Sequence, residues 1–180
     1  MGFKRVIRKA AKLVLASSPE KFVNVEVAQV SAGNVLKGKT VVITGGGRGL
    51  GLAMAEKFIS EGAKVVISGR KEATLKAACE KLGSDVSYVV ADVSEAECAG
   101  EFLDACEAKL GGRIDCLVSN AGVSLHENRF DNVTIEGFDK QFAINMRGAY
   151  FLCREFLCRK EREKEPSGEL LDLPRGEKDA

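Results

Sequence analysis

The 180-residue chain lacks the groups that build metal and redox centres. Its one histidine, His126, stands alone, and its six cysteines (79, 98, 106, 116, 153, 158) form no C-x-x-C pair, so no zinc site is expected. No apolar run approaches the ~18 residues of a membrane-spanning helix. Charge of neither sign dominates, and a formal net charge of +1 gives no electrostatic reason to expect nucleic acid as a partner. No secretory signal is evident, so the cysteines are expected as reduced, mostly buried thiols of a cytoplasmic protein. No internal repeat is present. What remains is an ordinary globular composition, 45% apolar and 29% charged, enough for one domain with short extensions.

Residues 1–35 read as an extension. Lys4, Arg5, Arg8, Lys9 and Lys12, with Phe3, Ile7, Ala10 and Val14 at helical spacing, predict a short basic amphipathic helix, and Phe22–Val30 alternates like a half-exposed strand. Three readings of that helix stay open: docking on its own domain or a partner, weak contact with an anionic membrane surface, or an organellar targeting segment.

Residues 36–165 alternate strand and helix. Strands are predicted at Thr40–Thr44, Lys64–Ser68, Val86–Ala91 and Ile114–Ser119. Helices are predicted at Gly49–Glu61 and Lys71–Leu82, with a third N-capped by Ser94, boxed by Glu97 and closed by Gly111-Gly112. Helical signal then runs from Ile135 to about Glu165 with a bend near Asn145. Continuous apolar strands in this rhythm predict an α/β fold with a doubly wound parallel sheet covered on both faces. Beyond it, Ser167–Leu171 starts like a strand, Pro174 interrupts it, and residues 166–180 read as an irregular tail.

The first strand runs into Thr44-Gly45-Gly46-Gly47-Arg48-Gly49-Leu50-Gly51, which opens a helix. Strand, glycine turn and helix in that order cradle a phosphate, because amides at the helix start point outward and glycines let the ligand approach the backbone. Gly51 is followed by Leu52-Ala53, not by Lys and Ser/Thr, so a P-loop is excluded. The spacing is T-G-x-x-x-G-x-G. With Ala91-Asp92-Val93 after the third strand and Asn120-Ala121-Gly122 after the fourth, it resembles the short-chain dehydrogenase/reductase family over about residues 37–160.

That resemblance implies a Rossmann-like sheet ordered 3-2-1-4 with a partial fifth strand, incomplete relative to the family. It places a dinucleotide across Thr44, Gly45, Gly47, Arg48, Gly49, Leu50 and Gly51. Asp92 and Val93 correspond to the adenine-binding pair, and Asn120, Ala121 and Gly122 to the element along the nicotinamide-side ribose. The end of the second strand holds Ser68-Gly69-Arg70, where an NAD site would carry an acid. Arg70, flanked by Arg48, suits a 2′-phosphate, so NADP(H) is expected over NAD(H).

The family reaction moves a hydride between nicotinamide and a carbonyl or alcohol, with a serine and a Tyr-x-x-x-Lys handling the proton. Only Asn145 of that catalytic tetrad has a counterpart here. Tyr88 lies within a strand, and Tyr150 is followed four residues on by Arg154. The expectation is therefore an NADP(H)-binding portion of a reductase, inactive as written, read as the product of a truncated or frame-shifted gene. The alternative is a non-catalytic NADP(H)-responsive interaction module. Family members pair through the helix carrying Asn145 and the one after it, and without the second helix homo-oligomerisation is left open. No substrate is specified.

Overall fold

The computed structural model describes residues 34–124 and 129–164. The expected basic helix and strand of the extension, His126, and the Ser167–Leu171 remnant with its tail lie outside the described residues.

Four parallel strands form the sheet: β1 (Thr40–Thr44), β2 (Lys64–Gly69), β3 (Val86–Val90) and β4 (Cys116–Val118), in the order β3-β2-β1-β4. The β-branched runs TVVIT and KVVISG alternate their side chains between two faces, and both faces are covered. Val41, Ile43, Val65 and Ile67 pack with Ala55, Leu75 and Ala78 of α1 (Gly49–Ser60) and α2 (Glu72–Leu82). Val42 and Val66 pack on the opposite face, with Phe102, Leu103 and Cys106 of α3 (Ala99–Leu110) and Leu152 of the last helix. Each of the valines, leucines, isoleucines and Phe102 among them contributes about 1.5–3 kcal/mol on burial.

Helix ends follow the glycines. Gly111 takes a left-handed conformation (φ 73°) and returns its amide to the Glu107 carbonyl. The start of α3 departs from expectation. Ser94 caps nothing there: its hydroxyl and amide both donate to Asp92 Oδ1, at 2.7 and 3.0 Å, and a 3₁₀ turn (Ala96–Cys98) precedes the helix. The Ser94 amide, which a capping box would give to Glu97, goes instead to the carboxylate two residues back, and the hydroxyl turns with it. Strand β4 is also shorter than its apolar run, because only Cys116–Val118 pair with β1.

After the polar loop, Thr134 caps α4 (Ile135–Phe142) by accepting from the Gly137 amide at 3.0 Å. The break expected near Asn145 is a π-helical turn, Ala143–Gly148, which leads into α5 (Ala149–Lys164). Arg159 fastens α5 to α3. Its side chain is only 16% exposed and donates to Asp104 (2.7 Å), Glu107 (3.2 Å), Glu155 (3.0 Å) and the Gly100 carbonyl (2.8 Å).

Candidate functional site

The notch follows directly from the sheet register. β1 ends at Thr44, one place before the backbone turns sharply through Gly45 (φ 67°) and enters α1 at Gly49 (φ 55°). A Cβ on Gly45 would lie 3.0 Å from the Ala121 Cα, and one on Gly51 would overlap the Gly45 carbonyl and crowd the Asn120 amide at 2.8 Å. These glycines leave bare backbone facing the loop after β4. The first-turn amides of α1 have no intrahelical acceptors, the N-cap Arg48 makes no side-chain cap, and no acid stands in that turn. The notch is therefore polarised for an anion.

Thr44 and Asn120 brace it from within. The Thr44 side chain is fully buried; its Oγ1 accepts from the Asn120 amide at 3.0 Å and the Ala121 amide at 2.9 Å. Asn120 Nδ2 in turn donates to the Thr44 carbonyl at 2.9 Å. The Thr44 hydroxyl is committed inside the protein, while Asn120 is half-buried and holds the turn through Nδ2. Gly47 is half-buried against Thr74 and Leu75 of α2, while Arg48 and Leu50 are exposed on the rim. On the β4 side, Ala121 is half-buried and Gly122 exposed.

A second wall comes from the end of β3. Asp92 Oδ1 is taken by Ser94, and Asp92 Oδ2 lies 3.7 Å from Arg70 Nη1. Partial burial alone would raise this carboxyl, but the two Ser94 hydrogen bonds and Arg70 outweigh it and hold it below the usual carboxylate range. Arg70 is about half exposed, and the chain before it offers no acid: Ser68 is fully buried with an unpartnered hydroxyl, and Gly69 is half-buried. Val93, half-buried, follows Asp92.

The π-helical turn touches both walls. Asn145 grips Val123, accepting from its amide at 2.9 Å and donating to its carbonyl at 2.8 Å, while Arg147 Nη2 donates to the Ser94 carbonyl at 2.9 Å. The contacts of Arg147 with Ser94 and of Gly148 with Val93 span more than fifty residues, and no local sequence pattern marks them. Neither tyrosine is poised for acid–base work. Tyr88 donates to Glu72 at 2.9 Å, a bond that raises its phenol above the ordinary value, and Tyr150 is exposed on α5. Among the described residues no group of three or more His, Cys, Asp or Glu could hold a metal ion, and no helix is long and apolar enough to cross a membrane.

A profile of the family described as short chain dehydrogenase matches residues 39–170. The chain belongs to the short-chain dehydrogenase family. A short-chain dehydrogenase/reductase of Pestalotiopsis microspora is 41% identical over 124 residues, which are 67% of this chain and 46% of that protein. The 3beta-hydroxysteroid dehydrogenase 1 of Eggerthella lenta is 39% identical over 124 residues, 66% of this chain and 46% of that protein. Among solved structures, the 3-ketoacyl-(acyl-carrier-protein) reductase of Brucella melitensis, complexed with NADH, is 34% identical with a TM-score of 0.67, covering 71% of this chain and 52% of that one. This short-chain dehydrogenase chain thus spans about half the length of the relatives it matches, 46% of each of those two curated proteins. The shared half is the dinucleotide-binding, Rossmann-like part of an oxidoreductase fold.

Proposed function

We propose that this chain binds NADP(H) through the notch between β1 and β4. Gly45, Gly49, Gly51 and the first amides of α1 take the pyrophosphate, with Gly47, Arg48 and Leu50 around it. Asp92 accepts from the adenine exocyclic amine beside the Val93 backbone, and Asn120, Ala121 and Gly122 run along the nicotinamide-side ribose. Gly45 and Gly51 let the turn close tightly on the loop after β4, Gly49 has open space where a side chain would stand, and the bare amides there suit a pyrophosphate. The bound group supplies a hydride at its nicotinamide carbon, the chemistry of the family's carbonyl and alcohol reactions.

The observation that carries NADP(H) over NAD(H) is the end of β2. A ribose diol there would want an acid; the chain offers Arg70, half exposed and free to turn a second nitrogen toward a 2′-phosphate. Loss of one charge-assisted bond of about 1.5–3 kcal/mol corresponds to roughly 10- to 100-fold in affinity. Fluorescence titration should show NADPH binding more tightly than NADH, and Arg70→Ala should weaken NADPH about tenfold or more while leaving NADH nearly unchanged. Equal affinities with no loss in Arg70→Ala would overturn the preference.

Cofactor binding without turnover is the expected behaviour of these 180 residues, since no Tyr-x-x-x-Lys occurs in them. NADPH oxidation against any member of an aldehyde and ketone panel would refute it. One observation favours a non-catalytic, NADP(H)-responsive interaction module as second reading. Ile135, Phe138, Phe142, Met146, Tyr150 and Leu157 recur at helical spacing from α4 to α5, and all are exposed. A partner captured only when NADPH is present would support that reading.

A further inference from the structure

Resting on the reading of the notch as an NADP(H) site, we propose that Arg147 and Gly148 are positioning residues for adenine recognition. They aim the Asp92 carboxylate from the π-helical turn on the far side of the loop.

The chain of contacts is short. Gly148 is buried, and a Cβ there would overlap the Val93 carbonyl, so only a residue without a side chain lets the turn come this close to Val93. One position earlier, Arg147 Nη2 donates to the Ser94 carbonyl at 2.9 Å, across 53 residues of sequence. Ser94, held by that bond, spends its amide and hydroxyl on Asp92 Oδ1 at 3.0 and 2.7 Å. One carboxylate oxygen is therefore held by Ser94, and Oδ2 is left on the side of Arg70, 3.7 Å away. Upstream, the loop leaves the sheet once the Ala91 amide has met the Gly69 carbonyl at 3.1 Å. Beyond that point Asp92-Val93-Ser94 is held by its own turn, where the Glu95 amide donates to the Asp92 carbonyl at 3.1 Å, by Arg70 on one side and by the π-helical turn on the other. Hydrogen bonds weaken steeply with misalignment, so a small drift of Ser94 costs Asp92 its aim.

The chemistry supplies a probe that separates aim from mere stability. Adenine presents an amine to Asp92, whereas hypoxanthine presents a carbonyl oxygen, which a carboxylate repels. A correctly aimed carboxylate discriminates between the two; a misaimed one does not. Asparagine can satisfy either, accepting through its oxygen or donating through its nitrogen.

Dissociation constants for NADPH and its reduced hypoxanthine analogue are measured by fluorescence on the full chain and on Asp92→Asn, Arg147→Ala, Arg147→Lys and Gly148→Ala. The unsubstituted protein should favour NADPH by about tenfold, and Asp92→Asn should bring the two ligands close to equal. Arg147→Ala should cut the preference to about threefold or less, and Arg147→Lys should restore it, because an ammonium can still donate to the Ser94 carbonyl. Gly148→Ala should lower the preference as well. A merely structural role would weaken both ligands alike and keep their ratio, so full discrimination retained in Arg147→Ala overturns the proposal. Arg147 is exposed, so this variant decides the matter even where Gly148→Ala fails to fold. A different pattern marks failure of the underlying reading: the unsubstituted protein binds neither ligand, or binds both equally, and the proposal falls with it.

Discussion

Strand β2 buries Val65, Val66, Ile67 and Ser68 to within 1% of complete burial, whereas β4, on the other side of β1, leaves Cys116 exposed and Leu117 and Val118 half-buried. The residue types are alike, so composition does not separate the strands. Neighbours do. β2 lies between β1 and β3 with helices over both faces, while β4 has β1 on one flank and no further strand among the described residues. The exposed apolar side chains of α4 and α5 follow β4 in sequence, so little-covered apolar surface concentrates in the later part of the described chain. The loop carrying Asp92 leaves the well-packed side of the sheet, and the loop carrying Asn120 leaves the thinly covered strand.

The sharpest way to break this comparison is to cut the same kind of side chain from each strand. Ile67→Ala should cost about 3–4 kcal/mol in urea denaturation, and Leu117→Ala about 1 kcal/mol, since the cost grows with the cavity left in fixed surroundings. Similar losses would mean that β4 is as enclosed as β2. Next in size is the brace between β1 and the loop after β4. Thr44→Val keeps the shape but removes the acceptor shared by the Asn120 and Ala121 amides, and should cost about 1–3 kcal/mol with a parallel loss of NADPH affinity. A smaller effect lies at the opposite end of the same strand pair. The Thr40 amide, opposed by partial desolvation and aided by the Thr40 hydroxyl, holds Asp115 below the usual carboxylate range. The sign follows from the depressed folded pKa: the contribution is complete above about pH 4 and is lost as the pH falls through the lower folded value. Asp115→Asn should therefore flatten the acid side of the stability profile by a few tenths of a kcal/mol, about what an exposed charged contact supplies.

Thiol labelling gives the same contrast with almost no energetic cost. Cys106, under the sheet, has its thiol pushed up to about 12 by burial and should resist iodoacetamide while the protein stays folded. Cys98 is exposed, but residual desolvation and the nearby Glu101, Glu95 and Glu97 raise its thiol. Cys116, exposed on β4, should react first. Rapid labelling of Cys106 in the native protein would show that the α3 face opens.

Much of this architecture was legible because its causes are local. The run Thr40–Thr44 is β1 to the residue, since β-branched side chains bounded by Lys39 and the glycine turn leave no other ending. Gly111 closes α3 as a left-handed cap should. Where a distant group competes, the local reading fails: Ser94 has the pattern of a capping box, yet Asp92 takes both its donors. Thr44 shows the same limit within the site. The β1–β4 register turns its hydroxyl onto two amides 76 and 77 residues ahead, which nothing beside it in the sequence announces. Nothing near residue 147 announces a bond to residue 94.

Arg159 ties α5 to α3 over a long interval, reaching back 55 positions to Asp104 and 59 to Gly100. During synthesis, strands β1 to β4 and the helix Ala99–Leu110 emerge well before the guanidinium that fastens that helix. For the interval in which those residues are made, Cys106 and Leu103 have a sheet beneath them but no clasp above. Order of manufacture, and not strength of contact alone, thus decides when this half of the molecule becomes safe from wrong company.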